Sequence, residues 1–210
     1  YFKKMNIKVN FIRKFPKAKI VNELVFVKTK KVKNNKLNLI LKSILDNELF
    51  QDQLFLQKEY NNKNYIFINC KKLSLSSDYE KIGSKLFDYL KKNKIQNLFV
   101  ELNKIDISDV HLEKVIHGAK LKSYNFDIYK SKSKKNKNII FNIIGKQNNK
   151  MNILRKKLDA LLDGVFFTRD LVSEPGNILH PDEYSKRLLK LKKIGLKVTV
   201  YNEKKLKKLG

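Results

Sequence analysis

Three histidines, a single cysteine and a few closely spaced acids are the residues of this chain whose types could do chemistry. His111 and His117 stand six apart. At about 100° per residue, a helix would turn them roughly 120° away from each other. A shared zinc needs ligands about three or four apart on one helix, so the pair predicts two surface or half-buried helix residues. His180 stands before Pro181, Asp182 and Glu183, an order that predicts a helix N-cap, with proline in the first turn and acids at the positive end of the dipole. Asp106 and Asp109 could suggest paired carboxylates for acid and base work. Ser108 beside them predicts a helix start, so their role reads as capping and dipole compensation. Cys70 ends the apolar run YIFINC and reads as a buried structural thiol, unable to form an internal disulfide and compatible with a reducing cytoplasm. IGSK and IIGK lack the repeated glycines of a phosphate-binding loop. The expected sets of catalytic, cofactor-binding and metal-ligating residues in this chain are therefore all none.

The charge offers a second kind of chemistry. Of 47 basic residues only Arg13, Arg155, Arg169 and Arg187 are arginine, and 20 acids oppose them to leave a net charge of +27. Codon usage in an AT-rich genome explains lysine in place of arginine but not the scarcity of acids. The excess makes a field that attracts polyanions without regard to sequence. In KSYNFDIYKSKSKKNKN, basic residues alternate with aromatics, a pattern that could join phosphate contacts to base stacking. Phe126 and Tyr129 read instead as a core-facing aromatic pair beside a solvated loop holding Lys134, Lys135 and Lys137. No apolar run is long enough to span a bilayer. The start, YFKKMNIKVNFIRKF, lacks the apolar core and cleavage site of a secretory signal. Met5 reads as the true start, with an organellar targeting remnant as the alternative.

These residues must be positioned by a scaffold, and 42% hydrophobic content with seven Gly and three Pro predicts a packed core of long helices and strands. NIKVNFI alternates as a half-buried strand, and KIVNELVFV predicts a second. Leu37, Ile40, Leu41, Ile44 and Leu45 share one face of a helix ending near Leu49. QLFLQ and NYIFINC predict strands around the turn-rich EYNNKN. Ser77 and Glu80 have the spacing of a capping box, ahead of a stripe of Ile82, Leu86, Tyr89 and Leu90. NLFVEL reads as a central strand covered on both faces. Ser108 then caps a helix whose Leu112, Val115, Ile116 and Ala119 share a face, and NIIFNIIG predicts one more buried strand.

From about Asn149 a stripe of Leu154, Leu158, Leu161, Leu162 and Val165 predicts a long helix that Pro175 stops and Gly176 and Asn177 turn. Beyond it come a helix ended by Gly195, a strand in LKVTVY and a final helix in NEKKLKKLG. These elements read as the opening of a second α/β unit with no sheet to complete it.

The junction, TRDLVSEPGNILHPDEYSKRLLKLKKIGLKVTVYNEKKLKKLG, resembles the segment joining the two domains of leucyl aminopeptidases, the cytosol aminopeptidase family. Arg169, Asp170, Leu171, Glu174, Pro175, Asn177, Pro181 and the terminal KKLG carry the likeness. Upstream, Gly118, Leu121, Tyr124, Phe126, Tyr129 and Lys130 in HGAKLKSYNFDIYKSK are similar to the end of the family's N-terminal domain. Ser173, Gly176 and His180 depart from the usual asparagine, alanine and threonine. Before about residue 95 only the order of elements is alike.

The resemblance implies an α/β fold, a three-layer macro-domain-like sandwich with a mixed sheet, followed by a long linking helix and the first elements of a second α/β domain. Its implied divisions are 1–148, 149–174 and 175–210, the last a truncated start of the metallopeptidase catalytic domain. It further implies a cytoplasmic parent enzyme, assembled as a homo-hexamer, that hydrolyses N-terminal residues from peptides. Two divalent metals, Zn or Mn, would do so, held by motifs beyond the point corresponding to Gly210. This portion would serve assembly and be inactive by itself. The alternative is a non-catalytic basic module that binds DNA or RNA non-specifically, derived from the same family.

Overall fold

The computed structural model describes residues 7–16, 21–28, 53–131 and 138–210. The helix expected over Leu37–Leu49, the loop lysines Lys134, Lys135 and Lys137, and Met5 lie outside the described residues. The chain divides into two compact units, Tyr1–Asp163 and Gly164–Gly210.

In the first unit the strands are β1 (Ile7–Ile12), β2 (Val21–Val27), β3 (Phe55–Tyr60), β4 (Lys63–Asn69), β5 (Asn97–Glu101) and β6 (Ile139–Ile144). They form one sheet in the order β1-β6-β5-β2-β4-β3. All neighbours are parallel except β3, which lies antiparallel to β4 at one edge. The mixed sheet that the resemblance implies is therefore present. The hairpin joining β3 to β4 turns on Asn61 and Asn62, both at positive φ (48° and 58°). That is the two-residue turn whose twist suits paired strands, and asparagine tolerates its left-handed backbone.

Helices α1 (Ser76–Lys92), α2 (Asp109–Lys122) and α3 (Asn149–Ser173) follow β4, β5 and β6 in turn. Parallel strands need such crossovers. Leu24, Phe26, Ile66, Ile68, Leu98, Val100, Phe141 and Ile143 point to one sheet face and form a single core. Into it α1 sends Tyr79, Ile82, Leu86 and Leu90, α2 sends Leu112, Val115, Ile116 and Ala119, and α3 sends Met151. The opposite face is buried too: Val21, Phe99 and Ile144 pack there with Ile12 and Phe15. Glu23 on that face is buried against Lys63, whose Nζ stands 2.9 Å away and also 3.7 Å from the Phe15 ring centre.

Ser108 caps α2 as expected, accepting from the His111 N–H at 3.3 Å. The Ser77–Glu80 box does not form. α1 starts two residues earlier, with Leu75 at the N-cap and Asp78 accepting from the Leu75 N–H at 3.1 Å. Glu80 is drawn away by Lys114 of α2, 2.7 Å from it.

In the second unit, the end of α3 is followed by α4 (Pro181–Leu189), a 3-10 turn (Lys190–Ile194) and α5 (Glu203–Leu209). Gly195 ends the turn with φ at +90°, a backbone that favours glycine. The strand expected in LKVTVY is not formed, because no strand among the described residues offers those backbone groups a ladder. Among the described residues no helix is long and apolar enough to cross a membrane.

Candidate functional site

The residues singled out for chemistry are dispersed. His111, in the first turn of α2, lies flat on the Tyr79 ring, with centroids 3.9 Å apart and planes 5° from parallel. Burial, and after it the charge of Lys28, lowers its pKa. His117 is buried on another side of the same helix, and its Nδ1 has no hydrogen-bond partner. Burial is also the chief cause lowering its pKa. His180 occupies the N-cap of α4 without a side-chain bond, and Pro181 follows in the first turn. Asp106 accepts from the Lys28 N–H at 3.2 Å, whereas Asp109 accepts from the Asn148 amide at 2.6 Å. The two acids are thus held by different neighbours rather than by a common substrate position.

Cys70 is buried, as its apolar setting predicts, and desolvation pushes its thiol pKa up to about 12. A thiol so protonated is a poor nucleophile. Tyr129 corrects an expectation. It is 53% exposed, although its ring still meets Phe126 with centroids 5.9 Å apart. The segment lies in a turn after α2, where no strand or helix turns the side chain toward the core. Among the described residues no three His, Cys, Asp or Glu side chains are grouped to hold a metal. The two-metal centre implied by the resemblance therefore does not fit these residues.

What the first unit does assemble is a buried charged seam between α2 and α3. Glu113 and Arg155 form a forked ion pair in which the Arg155 Nε lies 2.9 Å from one carboxylate oxygen and Nη2 donates to the other. The Arg155 guanidinium also lies 4.7 Å from the centre of the Phe11 ring. Further along both helices, Lys120 donates to Asp159 at 2.5 Å. Glu113 and Lys120 are only 2% and 4% exposed. His117 stands between them in the helical repeat of α2. Burial pushes the Glu113 carboxyl pKa up, opposed by Arg155, and burial with the charge of Asp159 raises that of Asp163. Sequence reasoning missed all four seam residues. A charged side chain on an amphipathic helix reads as solvent-facing, and only the pairing of signs between two helices could have marked Glu113 and Lys120 as buried.

In the second unit Arg187 makes an elbow. Its Nη1 lies 2.8 Å from Glu174 and its Nε 3.1 Å from Glu183, so α4 is tied to the residue that follows α3. The bond to Glu174, then that to Glu183, raises the Arg187 pKa. The Pro175 carbonyl accepts from Ile178 and Leu179, each at 2.9 Å, which closes the intervening turn.

Residues 71–133 match the N-terminal domain of the cytosol aminopeptidase family. A probable cytosol aminopeptidase of Phytoplasma mali is 39% identical over 132 residues, covering 60% of this chain and 26% of the relative. One from Brucella ovis is 35% identical over 140 residues, covering 64% and 28%. The chain spans about a quarter of the length of these curated relatives. Among solved structures, a mutant of tomato leucine aminopeptidase is similar over 97% of this chain and 46% of its own, with a TM-score of 0.71 and 18% identity. The bottromycin maturation enzyme BotP in complex with Mn gives a TM-score of 0.62 at 14% identity, over 90% of this chain and 40% of its own. At such identities these two likenesses concern the fold alone.

Proposed function

We infer, from a chain that carries the N-terminal domain of the cytosol aminopeptidase family, that the parent protein is a metal-dependent leucyl aminopeptidase of the cytoplasm. It removes N-terminal residues, leucine-like ones by preference, from short peptides. The observation that carries this reading is the family match over residues 71–133. The relatives named as probable cytosol aminopeptidases support it. Two divalent ions, zinc or manganese, supply the hydrolytic chemistry, and their ligands belong to a part of the parent outside this chain. Residues 1–148 are then the macro-domain-like domain, 149–174 the linking helix and 175–210 the opening of the catalytic domain. This portion serves assembly into a homo-hexamer and is inactive alone.

The test is the intact mass of the native gene product, with hydrolysis of leucine amide measured in the presence of manganese. The reading expects a native mass well above the 24.8 kDa of this chain, hydrolysis by the native product, and none by the 210-residue chain. A native product without hydrolysis would overturn it.

The net charge of +27 supports a second reading, in which the same chain binds DNA or RNA non-specifically. Retention on DNA that falls with rising salt would distinguish it.

A further inference from the structure

The charged seam has an order of signs that does more than neutralise buried groups. α2 and α3 follow successive parallel strands, and their contacts ascend together: Glu113 meets Arg155, and further along Lys120 meets Asp159. Along α2 the carboxylate precedes the ammonium, whereas along α3 the guanidinium precedes the carboxylate. Met151 has its own place in the core, but the leucines of α3 are less selective. Leu154, Leu158 and Leu162 recur at intervals of four, so a slide by one turn would replace leucine with leucine. The same slide would bring Asp159 toward Glu113, or Arg155 toward Lys120, and leave like charges together in a place where Glu113 and Lys120 have almost no solvent. Buried ion pairs are weak sources of stability, and specifying register is their best-attested use.

We propose that these two ion pairs form an electrostatic register key, which admits α3 onto α2 at one axial position and rejects a slip of one helical turn. The leucine repeat does not by itself distinguish positions one turn apart, and the alternating charges do.

The test uses the 210-residue chain with nitroxide labels on cysteines substituted at Lys122 and Lys157. Lys122 is 46% exposed and Lys157 is also exposed, whereas buried Cys70 stays unlabelled. Pulsed electron paramagnetic resonance should give one distance in the otherwise native chain. Exchanging one pair, Lys120→Glu with Asp159→Lys, keeps both native pairs matched but makes the signs uniform along each helix. Slipped positions are then attractive, and a second population displaced by about 5.4 Å along the axis is expected. Exchanging the other pair as well, Glu113→Arg with Arg155→Glu, restores alternation and should restore the single distance. A single unshifted distance in the uniform variant overturns the key. So does a uniform variant that fails to fold, since both of its native pairs are intact, or a fully exchanged variant that keeps two populations.

Discussion

A Cβ placed on Gly118 would stand 2.0 Å from the carbonyl oxygen of Glu80, and one on Gly83 would stand 1.9 Å from that of Val115. α1 and α2 therefore cross backbone against backbone, with a glycine from each helix at the contact. Neither obstacle is a side chain that could rotate aside. In an open helix Gly→Ala is stabilising by about 1 kcal/mol. Here Gly118→Ala should instead destabilise by about 3 kcal/mol, the upper range for overpacking. Urea unfolding of the variant checks the sign. A gain in stability would mean that the crossing is looser than described.

Cys70 should be chemically silent until the domain opens. Its thiol is buried, with a pKa near 12, and only the small thiolate fraction reacts with alkylating agents. Iodoacetamide at pH 8 is expected to leave the native chain unmodified over hours and to add one group per chain in urea. The added mass is read directly by mass spectrometry. Rapid labelling without denaturant would contradict the burial.

The polyanion reading rests chiefly on charge, and the cluster of Lys134, Lys135 and Lys137 is the place to test it. Changing all three to Glu shifts the net charge by six from +27, to +21. If this cluster is the binding site, salt-sensitive retention on immobilised DNA should disappear although the chain stays strongly basic. If retention depends only on overall charge, the variant will elute at a slightly lower salt concentration than the native chain.

The sheet was legible wherever the apolar signal was strong. The runs in NYIFINC, NLFVEL and NIIFNIIG all became parallel strands, because a strand covered on both faces must be nearly continuous in apolar residues. Ser108 and the His180–Pro181 pair were legible as helix starts, since capping is settled within a few residues. Ser77 misled for the opposite reason. Its partner Glu80 had a better offer from Lys114, a residue remote in sequence. LKVTVY has the β-branched alternation of a strand, but propensity forms no ladder without a neighbour. Glu113 and Lys120 were the least legible. α2 buries a second side against α3, and a one-helix pattern cannot reveal a partner helix with complementary charges.

His117 gives the fold a dependence on acidity that can be worked out in sign. Its imidazole is buried, with Glu80, Lys114, Lys120 and Asp159 as its charged neighbours and Nδ1 unpartnered. Burial lowers its pKa, so the native state holds it neutral after the unfolded chain, titrating at about 6.5, has begun to take up a proton. Its contribution to stability is complete above that pH and is lost as the pH falls, with a slope approaching about 1.4 kcal/mol per pH unit for one proton. His111, lowered by burial and then by Lys28, acts in the same sense. Glu113 and Asp163 act in the opposite sense, because burial raises their carboxyl pKa values and their native forms take up protons earlier than the unfolded ones. Comparing the native chain with His117→Gln isolates the imidazole, since both share every other group. The urea midpoint of the native chain should fall more steeply between pH 7.5 and 5.5 than that of the variant. Equal declines would show that His117 is protonated as readily in the folded chain as in the unfolded one.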